Sequence, residues 1–303
     1  MAGKRRRVYK RPEEYDRVVL TERDKKIFST IHAYDGMMSL KQLWQLHFPD
    51  CSSDVQPRKR LRDLCNNGYL TMPDAEEGMR WVPIGETVYW LDTEGAKVLA
   101  GLQGVDYEEF GWRQVGRWSK IAHDLAVNDF HLAIAQVCER DPELELLNWV
   151  TEGAFLRDKD SVTITNRDGS TRKRFMQPDG WFQVRKPSKR YEGKWANYAY
   201  LVEIDMGTET TTRFGRDKVP SGIAYLKSEA YLQRFGLSYG RFVVVTSSEE
   251  RLQNMKVQTE RLGGEKLFYF TTFEQIQAQN ALQKPIWWLA GSKSKNLLIP
   301  PND

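Results

Sequence analysis

Two kinds of hydrophobic spacing divide the chain. In its first third, apolar residues recur at helical intervals: Ile27, Phe28 and Ile31, then Leu40, Leu43, Trp44 and Leu46, then Leu61, Leu64 and Cys65. Each run carries its own punctuation. Thr21-Glu22-Arg23-Asp24 has the form of an N-terminal capping arrangement, Ser39 caps the second run and Pro49 stops it, and Gly68 closes a third that spans residues 53–67. Tyr69-Leu70-Thr71-Met72 and Thr87-Val88-Tyr89-Trp90-Leu91 then read as strands around a polar loop containing Gly78, Arg80 and Gly85, with a further short helix after them.

Residues 101–120, rich in Gly and Trp, keep no clean period and read as a connection. Beyond them Leu125, Ala126, Phe130, Ile134 and Val137 predict a buried helix. Strand-like runs follow at 144–150, 181–184 and 198–205. A helix over 213–235 comes next, which Pro220 and Gly222 are expected to break in two. A very apolar strand at 241–246, a charged helix at 248–262 and a strand at 267–270 complete the series. Pro285-Ile286-Trp287-Trp288-Leu289 reads as packed core, with a final strand or an exposed partner surface as alternatives. The expected organisation is an N-terminal arm (1–19), a first domain (20–100), a linker (101–120) and a second domain (121–303).

Composition removes several classes. A chain of 303 residues with 40% hydrophobic residues and 10 Trp has material for two cores. No apolar run is long enough for a bilayer, and Met1-Ala2-Gly3-Lys4-Arg5-Arg6-Arg7 lacks the apolar segment of a secretory signal, so no membrane partner is expected. Cys51, Cys65 and Cys138 are odd in number and show no paired spacing, which disfavours a disulfide framework and fits a cytoplasmic location. Four histidines without ligand spacing argue against zinc, and no phosphate-cradling glycine loop points to ATP. None of the 13 tyrosines stands beside the basic or histidine cluster that a tyrosine relaxase needs.

Net charge is only +4, and its distribution is more telling. Lys4, Arg5, Arg6, Arg7, Lys10 and Arg11 crowd the N-terminus, as a flexible arm along phosphates or a solubilising tail. Arg58, Lys59, Arg60 and Arg62 ride on the third helix. Helix, helix, basic helix and hairpin is the order of a winged helix-turn-helix, whose third helix enters the major groove of double-stranded DNA. Gln56, Arg58, Lys59 and Arg62 are the expected DNA contacts, with Arg80 from the wing. A solvated helix face, or a winged helix that binds protein, is the alternative.

The candidate chemistry lies in the second domain. Pro178-Asp179-Gly180-Trp181 opens one strand, and Tyr200-Leu201-Val202-Glu203-Ile204-Asp205 closes the next. Side chains two apart share a strand face, so Glu203 and Asp205 point one way while Val202 and Ile204 point into the core. If the two strands are neighbours, three carboxylates converge. Such carboxylates repel one another unless a cation intervenes, and oxygen ligands suit Mg²⁺ or Mn²⁺. The bland reading is a turn signal and two solvated strand ends.

The pair of segments resembles the metal site of the PD-(D/E)XK nuclease superfamily, with Asp205 where that family usually has a lysine. Lys218, in the following helix, is the candidate replacement. Asp179, Glu203 and Asp205 are then the expected metal ligands, and with Lys218 the expected catalytic residues, of a metal-dependent endonuclease or nickase. His123 is a further candidate, read first as a satisfied core residue. Helix, three strands, helix, strand agrees with that superfamily's α/β core, giving an α+β or α/β chain overall.

Both domains together resemble the replication-relaxation family of plasmids and other mobile elements. The match rests on Leu20-Thr21-Glu22-Arg23-Asp24, Arg60-Leu61-Arg62-Asp63-Leu64 with Gly68-Tyr69-Leu70, and Tyr89-Trp90-Leu91-Asp92-Thr93-Glu94-Gly95. It continues in His123-Asp124-Leu125-Ala126-Val127-Asn128-Asp129, Pro178-Asp179-Gly180, Glu203-Ile204-Asp205-Met206-Gly207-Thr208-Glu209, and Lys218 with Tyr225. The resemblance implies plasmid replication or relaxation of supercoiled DNA, with double-stranded DNA and replication or mobilisation proteins as partners. Homodimers are a further option, as winged helices often act on two half-sites. Three roles stay open: an endonuclease, a non-enzymatic replication accessory or repressor on an inactive nuclease scaffold, and an interaction module that touches DNA only loosely.

Overall fold

Thr21 and Ser39 begin the architecture as the sequence requires. In the computed structural model, which describes residues 9–73, 82–83, 85–113, 117–165, 168–188, 190, 192–278 and 280–300, both residues close capping boxes. Thr21 pairs with Asp24 at the head of α1 (Glu22–Ala33), and Ser39 pairs with Gln42 at the head of α2 (Leu40–His47). The chain divides into two compact units, residues 1–129 and 130–303. This boundary falls after Asp129, inside a helix, whereas the sequence reading places the connection at 101–120.

In the first unit α3 (Val55–Asn66) follows, and Gly68 ends it with a positive φ of 77° that a side chain would strain. Three short strands, β1 (Met37–Ser39), β2 (Leu70–Thr71) and β3 (Val88–Leu91), form an antiparallel sheet in the order β1-β3-β2. The predicted hairpin is β2 and β3; β1 is an addition too short for its period to register. Ile27, Phe28, Ile31, Leu43, Leu61, Leu64 and Val88 have no exposed surface and form the core. α4 (Thr93–Gln103) closes the sheet. Asp24, 1% exposed at its side chain, takes the Arg60 guanidinium at 2.5 Å and ties α1 to α3. Residues from Tyr9 onward strap the end of α3: Tyr9 Oη donates to Asn66 Oδ1 at 3.0 Å, and Arg11 donates to the Cys65 carbonyl and to Asp92.

The helix α5 (Ile121–Arg140) begins in the first unit. There Asn128 Nδ2 donates to the Met37 carbonyl at 2.7 Å, and Gln42 Nε2 reaches Asp129 Oδ1 at 2.8 Å. Much of the motif 123–129 is therefore packing of this helix onto the three-stranded sheet.

The second unit is built on a seven-stranded sheet, in the order β12-β11-β10-β9-β8-β7-β4. Its strands are β4 (Glu145–Thr151), β7 (Gly180–Pro187), β8 (Trp195–Ile204), β9 (Arg241–Thr246), β10 (Phe268–Thr272), β11 (Trp287–Leu289) and β12 (Lys295–Asn296). The β8–β9 and β9–β10 pairs are parallel, and the other pairs are antiparallel. Helices α7 (Thr211–Leu226) and α8 (Glu229–Phe235) lead from β8 to β9, and α9 (Glu249–Arg261) leads from β9 to β10. Phe214, Val219 and Tyr225 of α7 and Leu252 and Met255 of α9 pack with Leu201 and Val244 of the sheet. Phe130 of α5 sits edge-on or tilted against Trp149, Phe182 and Trp287, with ring centroids 6.0–6.3 Å away. Trp287 is fully buried, so the aromatic stretch is both core and a strand. α10 (Phe273–Ala278) follows β10.

Two features depart from expectation. α6 (Glu152–Arg157) and a separate two-stranded ribbon, β5 (Ser161–Thr165) with β6 (Thr171–Phe175), stand between β4 and β7. The other is that α7 does not break at Pro220 or Gly222; the helices part at Lys227 and Ser228, which caps α8. Gly222 is there for contact, since a Cβ on it would lie 2.8 Å from the Phe242 ring. Pro220 cannot donate to the carbonyl of Arg216, and Arg172 Nη2 from β6 donates to it instead at 3.2 Å. Among the described residues the cysteines are free, and no helix is long and apolar enough to cross a membrane.

Candidate active site

Strand register brings two of the acids together. β7 and β8 pair antiparallel with Gly180 opposite Val202 and Trp181 opposite Leu201, so one further step sets Asp179 opposite Glu203. The turn before β7 is fixed by its own backbone: Asp179 N donates to the Val202 carbonyl at 2.9 Å, and the Asp179 carboxylate accepts from Ile204 N at 2.6 Å. Glu203 lies on the strand face that carries Ala199 and Leu201, and that face is covered by α7. From α7, Lys218 Nζ reaches Glu203 Oε2 at 2.6 Å.

Asp205 lies on the same face, yet other elements claim it. Its backbone N donates to the Val245 carbonyl at 2.8 Å. Its carboxylate accepts from Thr246 Oγ1 and from Arg251 Nε, and a second bond from Arg251 Nη2 measures 2.7 Å. Arg251 Nη2 also donates to the Glu209 carbonyl at 2.6 Å and so holds the segment that leads into α7. All three acids are less than one tenth exposed.

The electrostatics follow from these partners. Burial works against the charge of Lys218, but the carboxylates of Glu203 and Asp179 outweigh it and hold its pKa above the ordinary lysine value. Burial likewise raises the Asp205 carboxyl, while the hydrogen bonds from Arg251 and Thr246 outweigh it and leave the pKa below the usual aspartate range. The expected convergence of three carboxylates is thus divided. Asp179 and Glu203 face each other with Lys218 as their cation, and Asp205 is neutralised by Arg251. Among the described residues no three His, Cys, Asp or Glu side chains are grouped to hold one ion. Asp179 and Glu203 remain an oxygen-only pair beside the backbone of Ile204, a donor set of the kind Mg²⁺ and Mn²⁺ take. A divalent ion there would share Glu203 with Lys218.

In the first unit the basic helix sorts its own residues. Gln56, Lys59 and Arg62 are exposed at spacings that place them on one face of α3. Arg58 is half-buried, bonded to Asp54 at 2.5 Å and to Thr87 Oγ1 at 3.3 Å, and Arg60 is committed to Asp24. Arg80 lies outside the described residues. His123 belongs to this unit, where its Nδ1 lies 3.5 Å from Asp124, a carboxylate already held by Arg117 at 2.6 Å and Arg113 at 3.3 Å. Tyr225 is fully buried with its hydroxyl donating to Asp160, which also accepts from Arg234, and it pins α7 rather than facing solvent.

Sequence reasoning missed Arg251. A signal was present: Ser248 caps α9, so Arg251 sits in the first turn of a helix, where a cation opposes the helix dipole and calls for a local acid.

The replication-relaxation family model matches the chain over residues 32–230. No curated protein and no solved structure matches it.

Proposed function

The chain belongs to the replication-relaxation family, and from that membership together with the site's geometry we propose that it is a DNA-binding protein of a plasmid or other mobile element that nicks or cleaves DNA. The family's description points to replication or relaxation. The first unit acts as a winged helix-turn-helix on double-stranded DNA, reading the major groove through Gln56, Lys59 and Arg62, with Arg58 steadying the helix. The second unit acts as a PD-(D/E)XK nuclease-like domain, a reading supported by the order α5, β4, β7, β8, α7, β9, α9, β10. One observation carries the catalytic part: Lys218 Nζ stands 2.6 Å from Glu203, which the strand register sets opposite Asp179. A helix-borne lysine thereby supplies the cation that the strand lacks at Asp205.

Asp179 and Glu203 would hold Mg²⁺ or Mn²⁺, which when bound polarises a phosphoryl oxygen and lowers the pKa of water. Lys218 pairs with Glu203 and places a fixed positive charge where charge develops on the phosphate. Asp205 acts through Arg251, fixing the 205–209 segment that leads into α7. The protein works in the cytoplasm, with replication or mobilisation proteins as further partners.

Supercoiled plasmid incubated with the protein and Mg²⁺ or Mn²⁺ tests this. Open-circle or linear product is expected from the wild type and not from Asp179→Ala, Glu203→Ala or the EDTA control. A second reading, a non-enzymatic DNA-binding accessory on an inactive scaffold, is favoured by the Asp205–Arg251 pair, which gives one acid a purely structural reason to be present. Salt-sensitive duplex binding without any cleavage would establish that reading instead.

A further inference from the structure

The β5–β6 ribbon stands apart from the large sheet and is unusual in what it buries. Val162 and Ile164 of β5 are buried and pair in register with Arg174 and Arg172 of β6, so the inner face combines two aliphatic side chains with two arginine stems. That face lies on α7. Arg172 donates to the Arg216 carbonyl and Arg174 Nη2 donates to Asp217 Oδ1, each at 3.2 Å. The Nε groups of both arginines are buried without a hydrogen-bond partner among the described residues. On the outer face Lys173 is exposed, its ammonium 5.5 Å from the ring centroid of Phe175, which is itself 58% exposed.

α7 adds to this charge. The side chains of Arg213 and Arg216 are 64% and 65% exposed. Asp217 is shared by Arg216 at 3.0 Å, Arg174 at 3.2 Å and Arg213 at 3.6 Å, so one carboxylate faces three guanidinium groups. Arg213 also stands 3.6 Å from Glu209, whose carbonyl is held by Arg251. Five cations among the described residues, Arg172, Lys173, Arg174, Arg213 and Arg216, thus collect on the ribbon and the outer side of α7 against three acids, Glu209, Asp217 and Asp168 in the ribbon's turn. The ribbon's base is fixed beside Tyr225 through Asp160, and its arginines meet α7 at Arg216 and Asp217. It therefore runs from the C-terminal part of α7 toward the end that leads back to Glu209 and Asp205.

We propose that the β5–β6 ribbon and the outer face of α7 form a second DNA contact, a clamp in which Lys173, Arg213 and Arg216 grip the phosphate backbone of a duplex. Two exposed guanidinium groups and the Lys173 ammonium match phosphate in charge, and the guanidinium groups match it in geometry as well. Among the described residues of the ribbon Phe175 alone offers an exposed ring for stacking, which favours the backbone of a duplex over an unpaired strand. The proposal rests on the reading that the protein handles DNA, and it adds a contact independent of α3. The clamp serves to hold the backbone near Asp179, Glu203 and Lys218 irrespective of sequence.

The test is the salt dependence of duplex binding by the full chain, followed by fluorescence anisotropy on a labelled fragment of mixed sequence. Three proteins are compared: the wild type, Lys173→Gln/Arg213→Gln/Arg216→Gln, and Lys59→Gln/Arg62→Gln. Each lost phosphate contact flattens the slope of log K against log salt by about 0.9, so the ribbon variant loses about 2–3 in slope and at least tenfold in affinity at low salt. Its thermal transition is unchanged, and Arg213→Lys/Arg216→Lys keeps most of the slope. If the ribbon variant keeps the wild-type slope while the α3 variant loses it, the clamp is overturned and the DNA reading stands. If the wild type binds no duplex, both fall. A ribbon variant that keeps duplex binding but loses retention on phosphatidylserine vesicles overturns the clamp in favour of a lipid surface.

Discussion

Replacing Lys218 by Met separates a structural cation from a catalytic one without any activity assay. Lys218 Nζ lies 2.6 Å from Glu203 Oε2, and the Glu203 side chain is 9% exposed while that of Lys218 is 37% exposed. Removing one partner of a fully buried pair costs about 3–5 kcal/mol; the partial exposure of Lys218 screens the pair and places this loss at about 2–3 kcal/mol. For a unit of this size each kcal/mol is worth about 2–4 °C, so the second unit's transition should fall by about 5–10 °C in calorimetry at pH 7. The pH dependence gives a second signature. The folded pKa of Lys218 is raised, so its stabilisation is fully present below the ordinary lysine pKa and is lost only as pH rises through the folded value. In the variant Glu203 and Asp179 face each other without Lys218, and that pH-dependent stabilisation is absent. Mg²⁺ or Mn²⁺ at about a hundredfold excess over its Kd should then restore about 2.7 kcal/mol to the variant, and less to the wild type, in which Lys218 competes. A shift under about 2 °C would refute the pair as a buried one. A large fall that neither ion reverses would keep the pair and sink the metal reading of Asp179 and Glu203.

Arg251→Leu leaves Asp205 buried with Thr246 as its remaining side-chain donor, and urea unfolding should show a loss of about 3 kcal/mol at neutral pH. Because the folded pKa of Asp205 is depressed, its stabilisation is present above the ordinary aspartate pKa of about 3.9 and is lost as pH falls through the folded value. The variant's deficit should therefore narrow in acid. Arg172→Ala removes the donor to the carbonyl that Pro220 leaves unpaired, and hydrogen exchange should accelerate around residues 216–221 with a cost of about 1 kcal/mol. Equal exchange in both proteins would show that water serves that carbonyl as well as arginine does. Burial depresses the pKa of His47 to about 4 and of His131 to about 3. Both stay neutral in the fold while the unfolded chain takes up protons from about pH 6.5 downward, so stability should fall between pH 6.5 and 4 by at most about 1.4 kcal/mol per pH unit for each histidine. Thermal midpoints of His47→Gln and His131→Gln that keep the wild-type pH slope would contradict this.

Where the sequence was legible, it was through residues whose neighbours are close in the chain. Thr21 and Ser39 announced their capping boxes because the partners, Asp24 and Gln42, lie three residues on. The apolar run 241–246 could only be a buried strand, and it is the central partner of two parallel pairs. Asp179 and Glu203 were legible as a pair because an acid opening one strand and an acid near the end of the next meet if the two are antiparallel neighbours. Long-range partners left weaker marks. Pro220 is a helix breaker by rule, and the donor to the carbonyl it leaves unpaired comes from Arg172, 48 positions earlier, where α7 continues through it. The ribbon had a period-two signal in Ser161-Val162-Thr163-Ile164-Thr165. On β6, however, the inward positions are Arg172 and Arg174, whose apolar stems carry no hydrophobic signal.

The charge balance of the site bears on what its acids are for. Three carboxylates retained together argue for a bound metal only while nothing else neutralises them. Here Arg251 neutralises Asp205 and in doing so joins the end of β8, Thr246 of β9, the first turn of α9 and the segment before α7. That acid is accounted for by architecture. Glu203 and Lys218 are different. The pair is only partly buried, with the Lys218 side chain 37% exposed, so folding gives less reason to keep it. Asp179 strengthens the point, because its carboxylate accepts from Ile204 N and acts together with Glu203 to hold the pKa of Lys218 up, so two buried acids stand beside that lysine. Asp179 and Glu203 are the two acids the strand register sets face to face, and it is there, rather than at Asp205, that a divalent cation would meet two carboxylates.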